Sequence, residues 1–98
     1  YVYAVAGGEF VKFGKALDVE SRFRGLQTGS PVELALLGAV LGPKTLEKSI
    51  HAWAQPARVR GEWFSRMGRI EAMVGLIVAG DLSGIMDAMK KPLDSESN

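Results

Sequence analysis

Two glycines, Gly7 and Gly8, separate short apolar runs at the start of the chain, and nothing else in the sequence constrains the fold as much. Primed two-residue turns need positive φ, which glycine adopts without steric cost, so this pattern predicts a tight antiparallel hairpin. With Gly7-Gly8 as the loop, residues 1–6 and 9–15 form the two strands and Tyr3 lies directly opposite Lys12. Alternation then puts Tyr3 and Lys12 on one face of the sheet, and Val2, Ala4, Val11 and Phe13 on the other.

After the hairpin, Asp18 is placed to cap a helix from Val19 to about Gln27, with Val19, Phe23 and Leu26 as its apolar stripe. Arg22 falls at the edge of that stripe, whereas Arg24 points away from it. Thr28-Gly29-Ser30-Pro31 reads as a turn. The nearly continuous apolar run from Val32 to Leu41 reads as a strand covered on both faces. A second helix spans Lys44 to about Gln55 around Leu46, Ile50 and Trp53, and Pro56 closes it. A third helix, capped by Ser65, runs to about Ala79 with Ile70, Met73, Val74, Ile77 and Val78 as apolar positions. A short helix over Gly84 to Lys90 follows, and Pro92 to Asn98 read as a frayed polar tail. These elements predict one α/β (α+β) domain over residues 1–91, built on a three-stranded, mainly antiparallel sheet flanked by helices.

With 98 residues there is room for one core and no second domain. The chain has no cysteine and a single histidine, which excludes disulfides, thiolate zinc sites and centres built from several imidazoles. No apolar run reaches membrane-spanning length and the chain lacks cysteine, so a reducing, intracellular setting is expected. Because the chain begins at Tyr1 rather than Met, an upstream module is expected to be missing. The formal net charge is only +1, so a partner rich in phosphate would have to be met by basic residues gathered on one face.

P-loop, HExxH and GxSxG motifs are all absent, which leaves dispersed polar groups. Each has an ordinary explanation. Tyr1 and Tyr3 suit a half-buried strand, Lys12 an edge strand, and Arg22 a helix margin. Glu62 could pair with Arg58 or Arg60. Glu47 and His51, one helical turn apart, suit a surface pair. The four methionines between residues 67 and 89 read as core fillers, with an adaptable interaction surface as the alternative.

Their order along the chain points elsewhere. Tyr1-Val2-Tyr3, returning through Val11-Lys12-Phe13-Gly14, resembles the two halves of the GIY-YIG endonuclease signature. Arg22 follows Lys12 at the spacing of that family's catalytic arginine. Leu26-Gln27-Thr28-Gly29-Ser30-Pro31 resembles the continuation in its phage-type and fungal branches, as does the helix bearing Leu46, Glu47 and His51. Arg58-Val59-Arg60-Gly61-Glu62-Trp63-Phe64 is similar to the closing motif of the phage-type branch. The resemblance covers roughly residues 1–80.

It implies a metal-dependent DNA endonuclease in which Glu62 binds Mg²⁺, with Mn²⁺ as the expected substitute, and Arg22 stabilises the scissile phosphate. Either Tyr3 or Lys12 acts as base, since lysine stands where the family has its second tyrosine. Tyr1 and His51 are accessory members of the site. Lys15, Arg24, Arg58 and Arg60 are the expected DNA contacts, with Arg66 and Arg69 as further candidates. Sequence specificity would come from an attached DNA-recognition module. The alternative is a catalytically idle domain of the same fold that binds nucleic acid or protein, an idea prompted by Lys15, which stands where the family often has a small hydroxyl residue.

Overall fold

The hairpin forms, but its turn sits one residue later than the two glycines suggest. In the computed structural model, which describes residues 1–93, β1 (Val2–Gly7) pairs antiparallel with β2 (Phe10–Lys15). The two-residue loop is Gly8-Glu9, and Gly8 alone has positive φ, at 61°. Gly7 stays in the strand, where an added Cβ would lie 3.1 Å from both Leu34 and Trp63. The shift corrects the expected register: Tyr3 stands opposite Gly14, and Lys12 opposite Val5. Each partner moves by two positions, which preserves the face of every side chain. Tyr3 and Lys12 thus remain on one face, but as diagonal rather than directly opposed neighbours.

The sheet has five strands rather than three. Among the described residues its order is β3-β1-β2-β5-β4, with every neighbouring pair antiparallel. The two extra strands come from the basic-aromatic segment: β4 (Arg58–Arg60) and β5 (Trp63–Ser65) form a second hairpin around Gly61-Glu62. Three-residue strands are too short to show a period, so their pairing depends on the neighbouring β2.

At the other edge, β3 (Ala35–Val40) pairs with β1 and is shorter and less buried than its apolar run suggests. Leu37 is the extra residue of a bulge, because Ala4 pairs with Gly38 and Val5 with Leu36. It joins Val40 on the same apolar face.

Helices cover both faces unequally. On the face of Val2, Ala4, Val11 and Phe13 lies the main core, completed by α2 (Leu46–Trp53), α3 (Arg69–Ala79) and α4 (Leu82–Met89). Leu46, Ile50 and Trp53 form the buried stripe of α2, as the sequence predicts. Pro56 sits in a 3-10 turn, Gln55–Ala57, beyond that helix. The opposite face carries Tyr3, Val5 and Leu34, covered by Val19, Phe23 and Leu26 of α1 (Val19–Thr28) and by Trp63. Asp18 caps α1 by accepting from the Ser21 amide at 3.0 Å. Gln27 ties the end of α1 to the entry of β3, donating to the Val32 carbonyl and accepting from the Leu34 amide at 2.6 Å.

The start of α3 differs from expectation. Ser65 ends β5, and the helix begins only after Gly68, which has positive φ and provides no side-chain cap. Within α3, Ile70, Met73, Val74 and Ile77 are buried while Val78 is 54% exposed. The methionines divide: Met73 is fully buried, Met89 packs at the core margin, and Met67 and Met86 are exposed. Pro92 and Leu93 are held rather than frayed, since Leu93 packs on the core and the Pro92 carbonyl accepts from Arg69 at 2.7 Å. The rest of the expected tail, residues 94–98, lies outside the described residues. No helix among the described residues is long and apolar enough to cross a membrane.

Candidate active site

The site is built where β5 begins. This strand pairs with β2 only along Phe10, Val11 and Lys12, so the last three residues of β2 run on past its first residue, Trp63. An exposed strand edge leaves backbone groups without partners. Here His51 of α2 fills the gap, its Nε2 lying 2.6 Å from the Phe13 carbonyl oxygen. A carbonyl can only accept, so Nε2 carries the proton. The imidazole is also fixed edge-on against Phe64, with ring centroids 5.4 Å apart, and Phe64 in turn packs on Phe13 at the same distance.

Gly61 and Glu62 form the turn that leads into β5. Gly61 has φ of 55°, and Trp63 is registered opposite Lys12. Just ahead of this pair, Glu62 sits at the sheet edge within reach of both faces. From the Tyr3 side, Lys12 donates to Glu62 Oε1 across 2.5 Å and 50 residues of chain. Lys12 is 14% exposed and Glu62 44%, so the pair opens to solvent on the carboxylate side. From the opposite side α2 brings Glu47 and His51. One ligating atom from each of Glu47, His51 and Glu62 falls within 4.8 Å of the others. His51 Nε2 is 4.0 Å from Glu47 Oε2.

Tyr3 is 2% exposed and lies over Gly14, where an added Cβ would overlap its ring and hydroxyl. Glycine is therefore required there for close approach rather than for backbone freedom. Tyr1 is half exposed just before β1, and its carbonyl accepts from the Ala16 amide at 3.0 Å.

Lys12, Glu62 and His51 thus converge, with Tyr3 on the Lys12 face. Arg22 is placed differently. It is exposed on α1 and lines an open hollow of about 680 Å³ with Lys15, Ala16, Asp18, Ser21, Gly25 and Leu26, a lining that includes neither Lys12 nor Glu62. Arg24, Arg58 and Arg60 are exposed.

Two further basic candidates have partners within the fold. Arg66 grips Glu71 with two bonds of 2.9 and 2.8 Å, and this hydrogen bonding holds the Glu71 carboxyl below its ordinary range and raises the arginine. Arg69 lies over the Trp53 ring and donates to the carbonyls of Ala88, Lys91 and Pro92. Its guanidinium caps the end of α4.

Glu47 is the residue whose place in the cluster the sequence reading missed. A signal existed, because Glu47 and His51 each directly follow a buried residue of α2, Leu46 and Ile50, and so stand on the rim of its apolar stripe.

Comparisons of the chain with protein-family models, with characterised proteins and with solved structures give no match.

Proposed function

We propose that this domain is a metal-dependent nuclease that hydrolyses phosphodiester bonds in DNA, with Tyr3, Lys12, Arg22 and Glu62 as its working residues. The observation that carries the reading is the Lys12–Glu62 contact. Two of the residues that the resemblance assigns to catalysis, Lys12 and Glu62, are in contact, and Lys12 shares its sheet face with Tyr3. Phosphodiester hydrolysis needs a water deprotonated, charge on the phosphate stabilised, and a leaving oxygen assisted. A carboxylate open to solvent suits a divalent ion that retains waters of its own, and Glu62 fits that role. Mg²⁺ held there would stabilise charge on the phosphate oxygens.

The chain's own groups do the rest. Lys12, mostly buried beside the carboxylate, holds or releases a proton at Nζ. The Tyr3 hydroxyl, fixed over Gly14, positions the attacking water, or as a phenolate accepts its proton. Arg22, exposed on α1 with a flexible stem, reaches the phosphate from the neighbouring hollow, and Lys15, Arg24, Arg58 and Arg60 hold the flanking backbone. An attached recognition module would supply sequence preference.

Supercoiled plasmid incubated with the protein tests this reading. Nicking or linearisation is expected with Mg²⁺ or Mn²⁺, absent with chelator, and reduced at least about 100-fold in Glu62→Gln. Undiminished cutting by Glu62→Gln, or no cutting of any DNA form, overturns it. One observation favours a second reading, a domain of this fold that binds nucleic acid without cutting it: the Lys12 ammonium already engages the Glu62 carboxylate. That reading predicts salt-sensitive DNA binding unaffected by metal.

A further inference from the structure

We infer that Glu47 and His51 are metal ligands together with Glu62, and that the site they form selects a transition ion of the Mn²⁺–Zn²⁺ class over Mg²⁺. This deepens the nuclease reading and rests on it for Glu62 as a metal ligand, adding Glu47 and His51 to a site that otherwise has one carboxylate.

The first argument is convergence. Glu47 and His51 are one turn apart on α2, Glu62 comes from the turn before β5, and their ligating atoms lie within 4.8 Å of one another. Two carboxylates this close repel unless a cation stands between them. Lys12 offsets only one of them, through Oε1 of Glu62.

The second argument is the histidine. A ligating imidazole characteristically donates its other ring N–H to a carbonyl or carboxylate, which sets its tautomer and orientation. His51 donates from Nε2 to the Phe13 carbonyl, a group outside the cluster, and Phe64 packs against its ring. With the proton on Nε2, the nitrogen 4.0 Å from Glu47 Oε2, the lone pair that would bind an ion resides on Nδ1.

The third argument is donor chemistry. Mg²⁺ favours oxygen ligands and keeps its waters, and imidazole adds little to its affinity. One nitrogen with two carboxylate oxygens suits Mn²⁺, Fe²⁺, Co²⁺ or Zn²⁺, with affinity rising along that series apart from the Zn²⁺ inversion after copper. Three protein ligands also leave coordination positions open for water and a phosphate oxygen.

The test is direct metal binding by the whole chain without DNA: calorimetry with Mn²⁺, Zn²⁺ and Mg²⁺, and loss of the free Mn²⁺ paramagnetic signal. Wild type is expected to bind Mn²⁺ and Zn²⁺ at least about ten-fold more tightly than Mg²⁺. Glu47→Gln and His51→Gln should each weaken Mn²⁺ binding about ten-fold or more, with His51→Gln also narrowing the gap to Mg²⁺. Lys12→Met removes a competing cation and should tighten Mn²⁺ binding several-fold, a gain that mere loss of structure cannot produce.

Equal affinity for Mn²⁺ and Mg²⁺, unchanged in His51→Gln, overturns the inference, and so does absence of Mn²⁺ binding by the wild type. The same variants separate it from the nuclease reading. Plasmid cutting in Mg²⁺ with Mn²⁺ affinity indifferent to Glu47 and His51 sinks the three-ligand site alone. Mn²⁺ binding through all three ligands without cleavage of any DNA sinks the nuclease alone.

Discussion

The molecule contains the same local turn twice. Gly8-Glu9 and Gly61-Glu62 each join two antiparallel strands, each with its glycine at positive φ, 61° and 55°, followed by a glutamate. They lie toward opposite ends of β2, because β5 runs antiparallel to it from Trp63 opposite Lys12 to Ser65 opposite Phe10. Their glutamates have different surroundings. Glu9 is exposed, and its carbonyl merely accepts from the Arg66 amide at 3.2 Å. Glu62 is half-buried, bonded to Lys12 and beside Glu47 and His51. Turn chemistry thus places a carboxylate at a hairpin tip, but the elements packed around the tip decide whether it can do anything.

The largest effect that separates the two hairpins lies in their aromatic residues. Phe64, 1% exposed, anchors the second hairpin, so Phe64→Ala should cost about 3–5 kcal/mol of unfolding free energy. That is a large share of the ~5–15 kcal/mol a domain of this size possesses. Phe10, 40% exposed beside the first turn, should cost under about 1 kcal/mol on the same change. Urea unfolding of both variants measures the difference, and similar losses would refute the asymmetry.

Next comes the support under Tyr3. Gly14→Ala drives a Cβ into the tyrosine ring and should destabilise by about 1–3 kcal/mol while displacing the hydroxyl. Thermal unfolding together with cleavage assays would register both effects. An unaltered melting curve would mean that the ring is not seated there.

The sharpest test uses the turns themselves. At Gly8 and Gly61 an added Cβ meets nothing within 4 Å, so alanine at either suffers only the backbone penalty, about 1–2 kcal/mol. Stability should fall equally in Gly8→Ala and Gly61→Ala. Any DNA cleavage should drop only in Gly61→Ala, whose change moves Glu62. An equal loss of cleavage in both would show that the site does not depend on its own turn.

The smallest effect concerns the clamp beside Glu9. Since Arg66 holds the folded-state pKa of Glu71 below its ordinary value, this carboxyl stabilises the protein above the ordinary carboxylate range. The contribution fades as pH falls through the lowered value. Glu71 is half exposed, so solvent screening keeps it within about 0.5 kcal/mol. Wild type and Glu71→Gln should therefore differ slightly at neutral pH and converge in acid. A gap that persists at low pH would point to another cause.

Much of this architecture was legible in the residues. The stripe Leu46, Ile50, Trp53 located α2, Asp18 marked the start of α1, and the alternation in β1 and β2 sorted Tyr3 and Lys12 from Val2, Ala4, Val11 and Phe13. Each is a short-range pattern with a fixed period. The exact turn was not legible, because Gly7 and Gly8 are equally permissive and only the packing of Leu34 and Trp63 against Gly7 separates them. Nor were β4 and β5, whose strands gain partners only from β2. Nor were the partners of Arg66 and Arg69 legible, because Glu71 and the end of α4 reach them only through packing.

By itself, then, the sequence determined the hairpin, the helices with their apolar faces, and which polar side chains the chain could offer. These follow from periodicity, capping and backbone freedom, which act within a few residues. Tertiary structure alone decided that Glu62 rather than Glu9 meets Lys12, and that Glu47 and His51 arrive beside it. Those meetings depend on where β5 begins along β2 and on how α2 lies against that edge. Both are outcomes of packing between segments that no local pattern encodes.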